Sequence, residues 1–149
     1  MLSSSLLFCD KLRVYFTLIS KGDGAMEIKI YRCNRCGNIA IKLVDSGVPM
    51  MCCGEKMEAL VPSSVDASLE KHVPVITRDG NLVSVSVGSV AHPMAEEHYI
   101  QFVILETTSG VQIAHLNPGD DPKAVFYVIP SVEVIRAYEY CNLHGLWAS

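Results

Sequence analysis

Nine residues carry the chemistry that this sequence can do. Four are cysteines in two close pairs, Cys33-x-x-Cys36 and Cys52-Cys53. Two cysteines separated by two residues can turn their sulfurs toward one point, and a second pair reached through a fifteen-residue excursion completes a tetrahedral sulfur set. Such a set suits zinc or a single iron, and spacing alone does not choose between them. Adjacent side chains normally point apart, so Cys52 and Cys53 can share a metal only where the backbone folds tightly. Gly54 supplies the freedom for that fold, and the expected tetrahedron is distorted.

The other five are His72, His92, His98, Cys141 and His144. Cys141-Asn142-Leu143-His144 can place a thiolate and an imidazole on one metal from a single loop at a strand end. Together the five exceed the four ligands of structural zinc and fit six-coordinate iron with one position open. A fifth histidine, His115, stands beside Asn117-Pro118-Gly119 and reads as a loop or strand-end residue. Cys9, apart from both groups, reads as a free thiol. Disulfides would leave the grouping of cysteines around single points unexplained, so metal chemistry in a reducing compartment is the better reading.

Positioning these residues falls to a short chain. Its 149 residues can hold one compact domain and a small satellite, and a hydrophobic content of 50% supports a packed core. A net charge of -4 without a basic cluster argues against nucleic acid as a partner. No apolar run is long enough to cross a bilayer, and the first residues make a poor signal peptide, so no membrane partner and a cytoplasmic location are expected. Residues 1–25 read as an amino-terminal extension, with an edge strand or dimer contact as the alternative. Residues 26–61 form a small four-cysteine domain: a strand from Glu27 to Arg32 delivers Cys33 to a turn, and a second strand runs from Asn38 to Val44. This unit is too small for a self-sufficient core, so a metal would supply much of its folding energy.

Residues 62–69 read as a linker and 70–149 as a β-rich domain. Thr77-Arg78-Asp79-Gly80-Asn81 signals a hairpin, and Leu82–Val87 alternates from Val83 onward. Further strands are expected at Tyr99–Glu106, Val111–Leu116, Ala124–Ile129 and Val132–Tyr140. Many short strands with tight turns and no long helical period suggest a mainly β chain with an antiparallel sandwich, a barrel being the alternative.

Taken together, the cysteine pairs, Glu70-Lys71-His72-Val73-Pro74, His92-Pro93-Met94, His98-Tyr99-Ile100 and Cys141-Asn142-Leu143-His144 resemble the two-iron superoxide reductases, also called desulfoferrodoxins. The resemblance spans Met26 to Trp147. It implies a desulforedoxin-like first domain followed by an immunoglobulin-like sandwich, commonly in a homodimer. It further implies a rubredoxin-like iron on Cys33, Cys36, Cys52 and Cys53, and a catalytic iron on His72, His92, His98 and His144 with Cys141 as axial ligand. Zinc could replace iron in recombinant material, particularly at the four thiolates. By the same resemblance, Lys71 attracts superoxide and organises a proton-carrying water, and Glu70 is the carboxylate that closes the open iron position after oxidation. The implied reaction is one-electron reduction of superoxide to hydrogen peroxide, with rubredoxin or a similar external donor; the chain carries no nicotinamide-binding glycine fingerprint. Two other classes remain open on residues alone: a non-catalytic iron electron carrier and a zinc-stabilised binding module.

Overall fold

The computed structural model describes residues 28–63 and 69–149. The expected extension 1–25, with Cys9, and residues 64–68 of the expected linker lie outside the described residues.

The small domain is built from five short strands of two or three residues each. Strand β1 (Ile30–Arg32) pairs antiparallel with β2 (Ile39–Ile41) on one side. On its other side it pairs with β5 (Glu58–Ala59), so the sheet order is β2-β1-β5. A separate hairpin joins β3 (Met51–Cys52) to β4 (Glu55–Lys56). The strands expected over 27–32 and 38–44 are therefore trimmed to three residues each.

Next comes a single helical turn, α1 (Leu69–His72), followed by β6 (Pro74–Asp79), β7 (Leu82–Val87), β8 (Ile100–Thr107) and β9 (Gly110–His115). The chain ends with β10 (Lys123–Tyr127), β11 (Val134–Cys141) and β12 (Gly145–Ala148). These strands form two antiparallel sheets, β10-β7-β6 and β12-β11-β8-β9, giving a seven-stranded, immunoglobulin-like sandwich; two separate sheets exclude the barrel alternative. Strand β7 runs as expected over Leu82–Val87, the other strands expected in this domain differ from the observed ones by one or two residues at their ends, and pattern reading did not find β6 or β12.

Alternation explains which faces close the core. Val83, Val85 and Val87 of β7 point inward with Ala124 and Phe126 of β10. They meet Val103 and Leu105 of β8 and Ala137 and Cys141 of β11. The central strand β8 is buried on its second face as well. There Phe102 and Ile104 join Tyr138, Tyr140 and Leu146 around Ile30 of the small domain. Burying one such aliphatic side chain contributes about 1.5–3 kcal/mol, so this cluster docks the small domain on the sandwich. A backbone bond from Ser63 to the Leu146 carbonyl at 2.8 Å extends the docking to β12.

Two backbone irregularities aim the candidate ligands. Between Tyr140 and Cys141 the β11–β8 register slips, since Tyr140 faces Phe102 but Cys141 faces Ile100. Such a slip bends a strand end and re-aims its side chain. Immediately afterwards Gly145, at φ +78°, closes the short hairpin that returns Asn142-Leu143-His144 to β12.

Candidate metal centres

The four cysteines converge. Their sulfurs lie within 4.8 Å of one another, with Cys36 to Cys52 at 3.6 Å and Cys52 to Cys53 at 3.9 Å. These separations are far longer than a disulfide bond of about 2.05 Å. They match a tetrahedron instead, because four sulfurs about 2.3 Å from a central ion stand about 3.8 Å apart. Adjacent cysteines can share this centre because Cys53 itself takes a left-handed φ of 52°, followed by Gly54 at 80°. Two successive positive φ values make the tight turn between β3 and β4.

Around the turn, Arg35 donates to the Cys53 carbonyl at 3.3 Å and Asn38 Nδ2 donates to the Cys52 sulfur at 3.7 Å. The backbone N–H groups of Cys36 and Arg35 hold the Cys33 thiol down to about 6. Hydrogen bonding with the thiols of Cys36, Cys52 and Cys33 pushes Cys53 up to about 12. Four such thiols cannot all ionise without a cation among them, and that cation is what the donor set fits.

The histidines form a closed ring. Ring centroids are 4.7 Å apart from His72 to His92, 4.6 Å from His92 to His98, 4.9 Å from His98 to His144 and 4.8 Å from His144 back to His72. Successive rings are steeply inclined, like the blades of a propeller. With a metal–nitrogen bond of about 2.1 Å and a ring radius of about 1.1 Å, four imidazoles around one plane have neighbouring centroids about 4.5 Å apart. The observed square is slightly wider than that, so the rings fit one ion.

The histidines reach the ring from three parts of the fold, two of them from the β7–β8 connection. His72 ends α1, His92 precedes Pro93 in the β7–β8 connection, and His98 closes a tight turn with Ala95 through paired backbone bonds of 3.0 Å. His144 lies in the β11–β12 hairpin. His72 Nδ1 stands 3.1 Å from Glu139 Oε1, and His92 Nδ1 donates to the Pro93 carbonyl at 2.6 Å. Those partners commit the Nδ1 hydrogens and leave Nε2 for a metal. The Nε2 atoms of His92 and His98 are buried without a hydrogen-bond partner, as expected of nitrogens meant for an ion. Burial holds His92 down to about 4 and also lowers His98, where the charges of His144 and His72 add to the effect. Neutral imidazoles are the form that binds metal.

Cys141 is fully buried, with its sulfur 3.5 Å from His144 Nδ1. Burial raises its thiol, opposed by backbone N–H groups of Leu143 and His144 that bond to the sulfur. The centre thus has an inner side, with Cys141, His72 and His92 buried, and an outer side, with His144 and Lys71 exposed. Lys71 adjoins His72 in α1, and its charge is felt at His98, where it disfavours protonation. Glu70 occupies the same helical turn. His115 lies apart, edge-on to Phe102 at 6.4 Å.

Three residues that sequence reasoning did not single out support the ring. Glu139 and Cys141 occupy the same face of β11, and Glu139 is cross-strand from Trp147. Trp147 stacks on His72 at 4.7 Å and 13°, so the imidazole is fixed by an aromatic face and a carboxylate at once. Burial pushes Glu139 up to about 9 in the metal-free chain. Asn142 is the third, through bonds to the turn that carries His98.

Comparison with known proteins agrees with this geometry. Residues 64–149 match the family described as desulfoferrodoxin, and residues 25–60 match the desulfoferrodoxin N-terminal domain. The desulfoferrodoxin of Syntrophotalea carbinolica is 46% identical over 125 residues, which cover 84% of this chain and 98% of that protein. A superoxide reductase of Pyrococcus horikoshii is 39% identical over 97 residues, covering 52% of this chain and 83% of its own. The crystal structure of the superoxide reductase from Treponema pallidum superposes with a TM-score of 0.72 at 36% identity, over 83% of this chain and 98% of that one.

Proposed function

The chain belongs to the desulfoferrodoxin family, and from that membership we propose how its own residues carry out superoxide reduction. The activity is that of a superoxide reductase with two iron centres: superoxide takes up one electron and two protons and leaves as hydrogen peroxide. The observation that carries the assignment of the site is the closed square of four imidazoles with a buried thiol 3.5 Å from one of them.

His72, His92, His98 and His144 would hold the iron together with Cys141, which reaches it from the buried side. Ferrous iron held there supplies the electron. As a thiolate, Cys141 pushes electron density toward the metal, and the N–H groups of Leu143 and His144 moderate that donation. Neutral imidazoles add no negative charge to a site whose substrate is an anion. Lys71, exposed beside His72, attracts superoxide and holds a water that delivers a proton. Glu70 would be the carboxylate that closes the open iron position after oxidation.

Cys33, Cys36, Cys52 and Cys53 hold the second iron, which relays electrons or stabilises residues 26–61. Residues 62–69 join that domain to the catalytic domain, 70–149. Electrons come from rubredoxin or a similar external donor, and the working form is a cytoplasmic homodimer. No helix among the described residues is long and apolar enough to cross a membrane.

The test is rapid mixing of the anaerobically reduced, iron-loaded chain with superoxide. One peroxide per superoxide consumed, without oxygen release, is expected, and Cys141→Ser should lose the fast phase. Peroxide accompanied by oxygen would indicate dismutation, and an unreactive ferrous centre would indicate a carrier.

A further inference from the structure

Asn142 has no place in the ligand set, yet its bonds join two ligand-bearing loops. Its backbone N–H donates to the Tyr99 carbonyl at 3.2 Å. Its Oδ1 accepts from the Tyr99 N–H at 3.0 Å, and its Nδ2 donates to the Glu97 carbonyl at 3.0 Å. Glu97 and Tyr99 are the immediate neighbours of His98, whereas Asn142 stands between Cys141 and His144.

The location explains the need. The β11–β8 ladder ends at the Cys141–Ile100 pair, after the register slip, and the chain before Ile100 leaves the sheet for the Ala95–His98 turn. That turn's reciprocal bonds between Ala95 and His98 fix its shape but not its position against the hairpin. A side-chain amide offers an acceptor and donors like those of a peptide unit. Asn142 therefore carries the connection past the last ladder pair, through one backbone bond to Tyr99 and two bonds from its side chain.

We infer that Asn142 is a positioning residue: its side chain clasps the turn carrying His98 to the hairpin carrying Cys141 and His144, so that three of the five donors meet the metal as one preorganised unit. The inference rests on the reading of the histidine–cysteine cluster as an iron centre. An amide holding two ligand loops lowers the cost of gathering them around the ion and slows their opening. The four-cysteine centre, on the other domain, does not depend on it.

The experiment uses the full chain loaded with iron at both centres, with Asn142→Ala, Asn142→Asp and Ser149→Ala variants. Ser149 Oγ accepts from the Ala137 N–H at 2.9 Å, so its removal weakens the β11 region without touching a ligand loop. Iron loss to a ferrous chelator is followed separately at the two centres, together with the sulfur-to-iron charge-transfer band of the oxidised protein. Losing two hydrogen bonds should speed release from the histidine–cysteine centre by roughly tenfold or more in Asn142→Ala. The band should shift, and release from the four-cysteine centre should not change.

Asn142→Asp keeps the acceptor for Tyr99 and loses the donor to Glu97. It sets a carboxylate oxygen against the Glu97 carbonyl, so it should release iron faster than wild type, and it carries the test where the alanine variant does not fold. Ser149→Ala should release iron as wild type does. Wild-type release and an unshifted band in both Asn142 variants would overturn the clasp, as would equal acceleration at both centres or equal acceleration in Ser149→Ala. A wild-type chain that binds no iron at the histidine–cysteine centre would instead overturn the metal-centre reading, and the clasp with it.

Discussion

Replacing Glu139 by Gln separates charge from shape beneath the histidine ring. The carboxylate lies 3.1 Å from His72 Nδ1, and adding the width of the imidazole and a metal–nitrogen bond puts it roughly 7 Å from a bound iron. At an effective dielectric constant of about 20, one unit charge at that distance is worth roughly 2.4 kcal/mol. Ferrous and ferric iron differ by one such charge, so Glu139 favours the ferric form by that amount. At about 59 mV for each 1.36 kcal/mol, this corresponds to roughly 100 mV in the midpoint potential. Glu139→Gln keeps an acceptor for His72 and removes the charge. Spectroelectrochemical titration should therefore find the histidine–cysteine iron raised by roughly 100 mV, with the four-cysteine iron unchanged as an internal reference. Two tendencies compete here, because burial pushes the carboxyl up to about 9 and only the nearby cation can restore its ionisation. An unchanged or lowered potential would show that Glu139 carries no charge beside the metal, and the reasoning would fail.

Lys71→Ala should slow the reaction with superoxide by roughly tenfold at low ionic strength and flatten its salt dependence, with iron content unchanged. An unaltered rate and salt response would remove the electrostatic role of Lys71. For His92 the sign follows from burial, which lowers its pKa from 6.5 to about 4 in the folded chain. Stability from keeping it neutral is present above pH 6.5 and is lost as pH falls toward 4. Thermal melts of the metal-free protein should thus decline over that window, with a shallower slope in His92→Gln; equal slopes would contradict the assignment.

The donors were legible because metal binding is written in residue types. Cys33, Cys36, Cys52 and Cys53 stand out by type and spacing, whereas four of the five histidines and Cys141 become a ligand set only through the family resemblance. The support of the ring was not legible, since it depends on register. Glu139 read as one more residue of an expected strand, and only its pairing opposite Trp147 sets carboxylate and indole against His72. Strand β12 escaped notice because four residues opening on glycine offer no alternation to count. Strand β6 begins at Pro74, a residue that reads as punctuation yet is tolerated at a strand start. The adjacent cysteines called for a tight backbone, which Gly54 was expected to provide. Cys53 shares the task by taking a left-handed φ itself, which residue type does not favour and which the closure of the β3–β4 hairpin imposes.

X-ray absorption at the iron edge, on a Cys33→Ser, Cys36→Ser variant that retains only the histidine–cysteine centre, addresses the assignment directly. Four nitrogen neighbours and one sulfur around a single iron are predicted, with the sulfur lost when Cys141→Ser is added. An iron shell without sulfur, or one that ignores Cys141→Ser, would contradict a centre made from His72, His92, His98, His144 and Cys141.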